Sequence, residues 1–218
     1  MTGPFFRVEL EPPPWLYHLL ARGPLFKRVY RLFLDDLTAA LPVGACLLDV
    51  GTGPGYLLDY LSALRPDLSL VGMDLDRRML RRGQRGRSQA ATPSWPGVVG
   101  RAGTLPFGSG VFDQVLATFS FHIWRRPDRG VAEMARVLKG GGRGWLYEMN
   151  REASVEDWRS FAAAEKIPFP LVYVGFKTLR WHHALTGEDF ARVFEEAGVG
   201  RWQLEPAHHL FWRGELTV

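Results

Sequence analysis

The chain has 218 residues, enough for one substantial core, and a second full domain is not expected at that length. Apolar and charged residues make up 46% and 23% of it, the balance of an ordinary globular protein, and no apolar run approaches the roughly 20 residues that span a bilayer. The formal net charge of +4 permits an acidic partner, but the cations are almost all arginine, with lysine only at Lys27, Lys139, Lys166 and Lys177, so the excess reads as a compositional habit and is weak evidence for a nucleic-acid partner.

In chain order, the first stretch, MTGPFFRVELEPPP, carries acids and prolines where a signal peptide would carry a basic end and an apolar run. The single cysteine, Cys46, forbids an internal disulfide and fits a reducing compartment, so a cytoplasmic location is the expectation. From Pro24 to Ala40, Leu25, Phe26, Val29, Leu32, Phe33 and Leu37 recur at helical spacing. A short apolar run, Cys46–Val50, leads into glycines at positions 51, 53 and 55 and then a helical pattern ending before Pro66, which reads as strand, tight turn and helix.

Ser69–Met73 is a second strand and DRRMLRRGQR a second helix, followed by a loop over 86–96. Strands are expected at Gly97–Gly100 and Val111–Thr118. A helix opens at Asp128 as its N-cap and ends before KGGG, where glycine supplies a left-handed stop, and Arg143–Met149 is the next strand. Thr186 begins a helix with a capping-box pattern that runs to Ala197. Two closely spaced strands end the chain as an antiparallel hairpin.

Strands alternating with helices predict an α/β fold: a doubly wound, mostly parallel seven-stranded sheet with a C-terminal antiparallel hairpin. Residues 1–42 form an N-terminal helical segment over the ligand site, and 43–218 form the main domain. The aromatic stretch 151–185 interrupts the alternation and is expected to cap the crevice at the strands' C-terminal ends. A satellite core would account for the same aromatics.

Glycines after a first strand let a ligand approach the backbone and the following helix N-terminus. Asp74, ending the second strand, is placed to accept the two hydroxyls of a ribose. A dinucleotide site would have its third glycine one residue later, and Pro54 interrupts the amides that would face a pyrophosphate. A ligand with a ribose and no pyrophosphate fits better.

The segments LLDVGTGPGYL, LVGMDLDRRML, LPFGSGVFDQVLATFSFHIWRRP and EMARVLKGGGRGWL resemble, in order and spacing, class I S-adenosylmethionine-dependent methyltransferases, and most of all their small-molecule, ubiquinone/menaquinone-biosynthesis branch. The resemblance covers residues 43–149 and returns at 186–198. It implies S-adenosylmethionine as cofactor, with Gly51, Thr52 and Gly53 against its amino-acid end and Asp49 holding the turn. It further implies Asp74 on the ribose, Leu75 and Met79 beside adenine, and Thr118 and Phe119 near the sulfonium. Where relatives carry Gly-Asp-Ala, this chain has Gly100-Arg101-Ala102. Arginine is a donor only, so adenine would be held through backbone near Ala102 and by packing.

Methyl transfer to an acidic oxygen or carbon needs a base, and the candidates are His122 and Glu148 at the crevice and His182 or His183 in the insertion. A small, apolar or aromatic acceptor is expected beneath the cap, contacted by Trp181 and His182 and by Tyr17 and His18 of the N-terminal segment. His182-His183 and His208-His209 are adjacent pairs that would point to opposite faces of a strand, so no metal site is expected. Arg78, Arg81, Arg82 and Arg85 share one helix side, which is read as a solvated face in preference to an RNA surface.

Overall fold

The computed structural model describes residues 23–87, 95–179 and 184–218. Helix α1 (Pro24–Ala40) precedes β1 (Cys46–Val50), α2 (Tyr56–Leu64), β2 (Ser69–Asp74), α3 (Arg77–Arg87), β3 (Gly97–Val99) and β4 (Phe112–Thr118). A single 3-10 turn, Phe121–Ile123, leads to α4 (Pro127–Val137) and β5 (Leu138–Met149). Then follow α5 (Val155–Ala164), α6 (Phe169–Leu179), α7 (Gly187–Ala197), β6 (Arg201–Ala207) and β7 (Phe211–Thr217).

The strands form one seven-stranded sheet in the order β3-β2-β1-β4-β5-β7-β6. The first five are parallel, and β7 pairs antiparallel with both β5 and β6. The chain therefore reverses direction across the sheet between β1 and β4, where ligands bind in doubly wound folds.

Strand periodicity divides the core. Leu47, Leu116, Trp145 and Tyr147 face the layer made by α1, α2, α5 and α6. Leu48, Val50, Val115, Ala117 and Leu146 face α4 and α7. Helix α1 lays Phe26, Val29, Phe33 and Leu37 on the first face, and Phe33 stacks on Tyr147 at 4.1 Å between ring centroids. Each such buried Phe or Leu stabilises the fold by about 1.5–3 kcal/mol.

The aromatics of the 151–185 insertion join this core. Trp158, Phe161 and Phe176 are buried on α5 and α6 and pack with Phe26 and Phe211. These rings hold the insertion to the sheet, which is the satellite-core alternative carried into the main core.

Three local expectations are corrected. Asp128 is not the N-cap of α4: Arg126 is, and Pro127, which has no amide hydrogen to lose, occupies the first helical position. The KGGG segment does not terminate that helix. Leu138 is already extended, and the glycines form an irregularity inside β5, where Phe112 pairs with Leu138 but Gln114 with Arg143. Gly141, at φ +81°, allows the excursion. Finally, His208 and His209 lie in the β6–β7 turn and both adopt the left-handed conformation, so the rule of opposite strand faces does not govern them.

Candidate functional site

The glycine turn after β1 is held from two sides. The amides of Gly51 and Thr52 both donate to the Met73 carbonyl, at 2.8 and 2.9 Å, and the Gly55 amide donates to the Thr52 carbonyl at 2.9 Å. The Gly53 amide donates to Asp74 Oδ2 at 2.8 Å. Pro54 has no amide hydrogen, so every donor of the turn from 51 to 55 is already used. That leaves no amide cradle for a pyrophosphate and supports the tertiary case against a dinucleotide.

Each glycine is needed for a different reason. All three have positive φ. A β-carbon on Gly51 would lie 2.4 Å from Ser120 Cβ, and one on Gly55 would enter the ring of Trp95. Beside Gly53 there is open space. Ser120, which the sequence reading missed, is thus a positioning residue of the turn; its hydroxyl donates to the Val50 carbonyl at 2.8 Å.

Asp49 is 1% exposed, and its Oδ1 has no hydrogen-bond partner among the described residues; nor has Thr52 Oγ1. Burial pushes the Asp49 carboxyl up to about 7, against the lowering influence of the neighbouring Thr52 hydroxyl and with the charge of Asp74 adding to the rise. Asp74 accepts from the Gly53 amide and, through Oδ1, from the Asp76 amide at 2.7 Å. Burial raises its pKa against these two bonds. A carboxylate has roughly four lone-pair positions, so both oxygens retain capacity for a diol.

S-adenosylmethionine brings an ammonium and carboxylate, a ribose diol and an adenine, and the residues present fit it. Asp49 Oδ1 and Thr52 Oγ1, unpartnered among the described residues, could take the ammonium end, and Asp74 could hold the ribose. Leu75 is exposed on the loop after β2, and Met79 is half-buried on α3, whose Leu80 turns into the core. Ala102 is half-buried in the loop after β3 and packs against the core of the second face. Arg101 is exposed, and its carbonyl accepts from the Thr104 amide at 3.1 Å. Thr118 closes β4.

Phe119, φ 52°, is buried, and its ring packs against Phe26, Phe33 and Phe211 in the aromatic core. The left-handed turn at Phe119 redirects the chain, and Phe121 stacks on Phe190 while His122 turns toward β5. His122 Nδ1 lies 3.1 and 3.0 Å from the two oxygens of Glu148, and the His122 amide donates to Oε1 at 3.3 Å. Tyr17, His18, Trp181 and His182 lie outside the described residues. Among the described residues, no group of three or more His, Cys, Asp or Glu could hold a metal ion.

A second polar cluster lies where α1 meets the hairpin. Asp36 Oδ2 accepts from Tyr147 Oη at 2.7 Å, His208 Nε2 at 3.0 Å and Arg213 Nη1 at 3.4 Å. Burial opposes ionisation of Asp36, but the bonds from His208 and Tyr147 outweigh it and lower its pKa. Burial first, and then the Asp36 charge, raise the Tyr147 phenol.

The family described as "Methyltransferase domain" matches residues 48–146, which run from β1 into β5. An uncharacterized methyltransferase of Synechocystis, sll0829, is 27% identical over 98% of this chain and 93% of its own. The ubiquinone/menaquinone biosynthesis C-methyltransferase UbiE of Bordetella parapertussis is 34% identical over 62% of this chain and 53% of its own. Against several curated relatives the chain spans 46% to 65% of their length. A SAM-dependent methyltransferase from Aquifex aeolicus shares the fold, with a TM-score of 0.70 at 17% identity over 94% of this chain and 98% of that one. The domain match covers the glycine turn, Asp74 and the loop after β4, and with these relatives it supports an S-adenosylmethionine-dependent methyltransferase.

Proposed function

We propose that this protein transfers a methyl group from S-adenosylmethionine to a small acceptor with an apolar or aromatic body. The observation that carries the reading is the unpartnered Oδ1 of buried Asp49, beside a glycine turn whose own amides are all engaged. A buried carboxylate oxygen without a donor is costly unless a ligand supplies one, and an ammonium group supplies it.

Asp49 and Thr52 bind the amino-acid end of the cofactor, Gly51 and Gly53 let it approach the backbone, and Asp74 takes the ribose hydroxyls. Leu75, Met79 and the backbone near Ala102 hold adenine, and Thr118 and the Phe119 backbone border the methyl group. When bound, the cofactor supplies a methyl group on a positively charged sulfur. The protein's contribution is to bind, orient and exclude water while that charge disperses.

Helix α1 and the α5–α6 insertion wall the acceptor side and leave an apolar environment for it. The Bordetella relative is named for C-methylation in ubiquinone and menaquinone biosynthesis, which supports an acceptor of this kind.

Calorimetric titration with S-adenosylmethionine, S-adenosylhomocysteine and a nicotinamide dinucleotide tests the reading. Binding of the first two in the micromolar range and none of the third is expected. Absence of binding by both sulfur ligands would overturn it.

A further inference from the structure

We propose that Trp95 is a positioning residue of the cofactor site: its indole seats the glycine turn so that Asp49 and Thr52 meet the amino-acid end of S-adenosylmethionine. Cofactor affinity then depends on a ring buried behind the turn. The inference rests on the methyltransferase reading above.

Trp95 lies near the end of the loop expected over 86–96, and it is 3% exposed in the core it shares with Leu57, Leu58, Leu61 and Leu70. The outer edge of its six-membered ring meets two glycines at once. A β-carbon on Gly55 would fall on Cζ2 and Cη2, and one on Gly72 would fall on Cζ3 and Cε3. Gly55 is the last residue of the turn and the N-cap of α2, and Gly72 lies inside β2. Glycine weakens a strand interior and often marks a close approach; here the approaching group is the indole.

Hydrogen bonds fix the ring in that place. Nε1 donates to Asp59 Oδ1 at 2.8 Å, and the Asp59 amide donates to the Gly55 carbonyl at 2.9 Å. The Pro96 carbonyl, one residue on, accepts from the Gly72 amide at 3.0 Å. Trp95 is thus tied to the helix that the turn enters and to the strand whose Met73 carbonyl anchors the turn's start. Filling core volume asks only for a satisfied indole N–H; it does not ask a turn and a strand to give up their β-carbons to one ring.

Gly55 passes this placement on to Thr52. The Gly55 amide donates to the Thr52 carbonyl and the Thr52 amide to the Met73 carbonyl, both at 2.9 Å, so Thr52 is set between the ring-supported end of the turn and β2. A turn with three glycines has wide backbone freedom of its own, and its geometry comes from what it rests on. A smaller side chain at position 95 leaves a cavity against Gly55, into which the turn settles, and Thr52 then shifts relative to Asp49. A site whose supporting residues are lost becomes too loose by about 1 Å while every direct contact is still present.

Calorimetric titration with S-adenosylhomocysteine tests this, with the thermal midpoint of each protein measured beside it. Trp95→Phe keeps an aromatic ring but loses the Nε1 tether and the outer ring edge. It should bind about ten- to a hundredfold more weakly, the scale known for residues that stand behind a metal's ligands. Leu61→Ala removes a fully buried side chain of the same core, two positions beyond Asp59 on α2. It should lower the thermal midpoint at least as far and leave affinity unchanged. Gly72→Ala should push the ring against Gly55 and weaken binding. Combined with Trp95→Phe, its methyl group occupies the space the indole edge has left, so the double variant should bind more tightly than Trp95→Phe alone.

Wild-type affinity in Trp95→Phe would overturn the inference. An equal loss of affinity in Leu61→Ala would overturn it too, because the effect would then be one of general stability, and so would strict additivity of the Gly72 and Trp95 changes. Should Trp95→Phe fail to fold, Gly72→Ala decides alone, and unchanged affinity there overturns the inference. If neither sulfur ligand binds the wild type, the methyltransferase reading has failed and this inference falls with it.

Discussion

The amide of Gly53 donates to Asp74 Oδ2 at 2.8 Å, joining the glycine turn after β1 to the acid that ends β2. One carboxylate thus fixes the turn through Oδ2 and, through Oδ1, takes the Asp76 amide at the start of α3. Removing it has two consequences, one on the ligand and one on the turn.

Asp74→Ala should weaken S-adenosylhomocysteine binding by about 1.5–3 kcal/mol, the range for hydrogen bonds to a charged group. Asp74→Asn, which keeps one oxygen for the Gly53 amide, should lose less. Equal affinity of all three proteins by calorimetry would remove Asp74 from the ribose.

Asp49 should report ligand binding through protons. Its carboxyl, pushed up to about 7 by burial, is mostly protonated at pH 6 and mostly ionised at pH 8. A bound ammonium favours the ionised form and draws the pKa down. Binding at pH 6 should therefore release close to one proton, by roughly the linkage relation, and affinity should rise with pH until it levels off above about 7. Calorimetry in buffers of different ionisation enthalpy measures this directly. Asp49→Asn should abolish the proton release.

Gly51→Ala should destabilise the fold by about 2–4 kcal/mol, combining a positive φ with a clash against Ser120. Pairing it with Ser120→Gly removes the clash and leaves the backbone strain, so the double variant should recover part of the loss. Strict additivity in denaturant titrations would mean that the two residues do not meet.

The Asp36 cluster should govern acid stability. Its lowered folded-state pKa means that Asp36 contributes stability above the ordinary carboxylate value, and that this is lost as pH falls through the folded-state pKa. Asp36→Asn should lower stability at pH 7 by about 1–3 kcal/mol, the scale of charged hydrogen bonds, and flatten the acid limb of a Tm-against-pH curve. An unchanged acid limb would assign that limb to other carboxylates.

The exposed arginines of α3, Arg77, Arg78, Arg81 and Arg82, allow one more check. Arg78 is paired with Asp76 at 3.0 Å. Neutralising the other three should leave cofactor affinity unchanged. RNA binding that weakens steeply with salt, and that disappears in this variant, would revive a nucleic-acid acceptor.

Much of this protein is determined by the sequence read locally. The glycine turn, the α1 stripe, the strand–helix alternation and the Thr186 cap, whose hydroxyl accepts from the Asp189 amide, depend on residues within a few positions of one another. Their periods and caps therefore survive in the linear text. The places of Asp49 and Asp74 at the ends of β1 and β2 are legible for a related reason, since each acid follows an apolar strand run.

Tertiary structure decided the rest. Ser120 meets the glycine turn across 70 residues, His122 meets Glu148 across 26, and Asp36 meets His208 across 172. The glycines of KGGG look like a helix stop until β4 pairs alongside and draws them into β5. Phe119 looked like a wall of the ligand site, and its ring instead fills the gap that α1 leaves over β7. Such contacts arise from which strands lie side by side and from what must be buried between layers, and no local pattern encodes either.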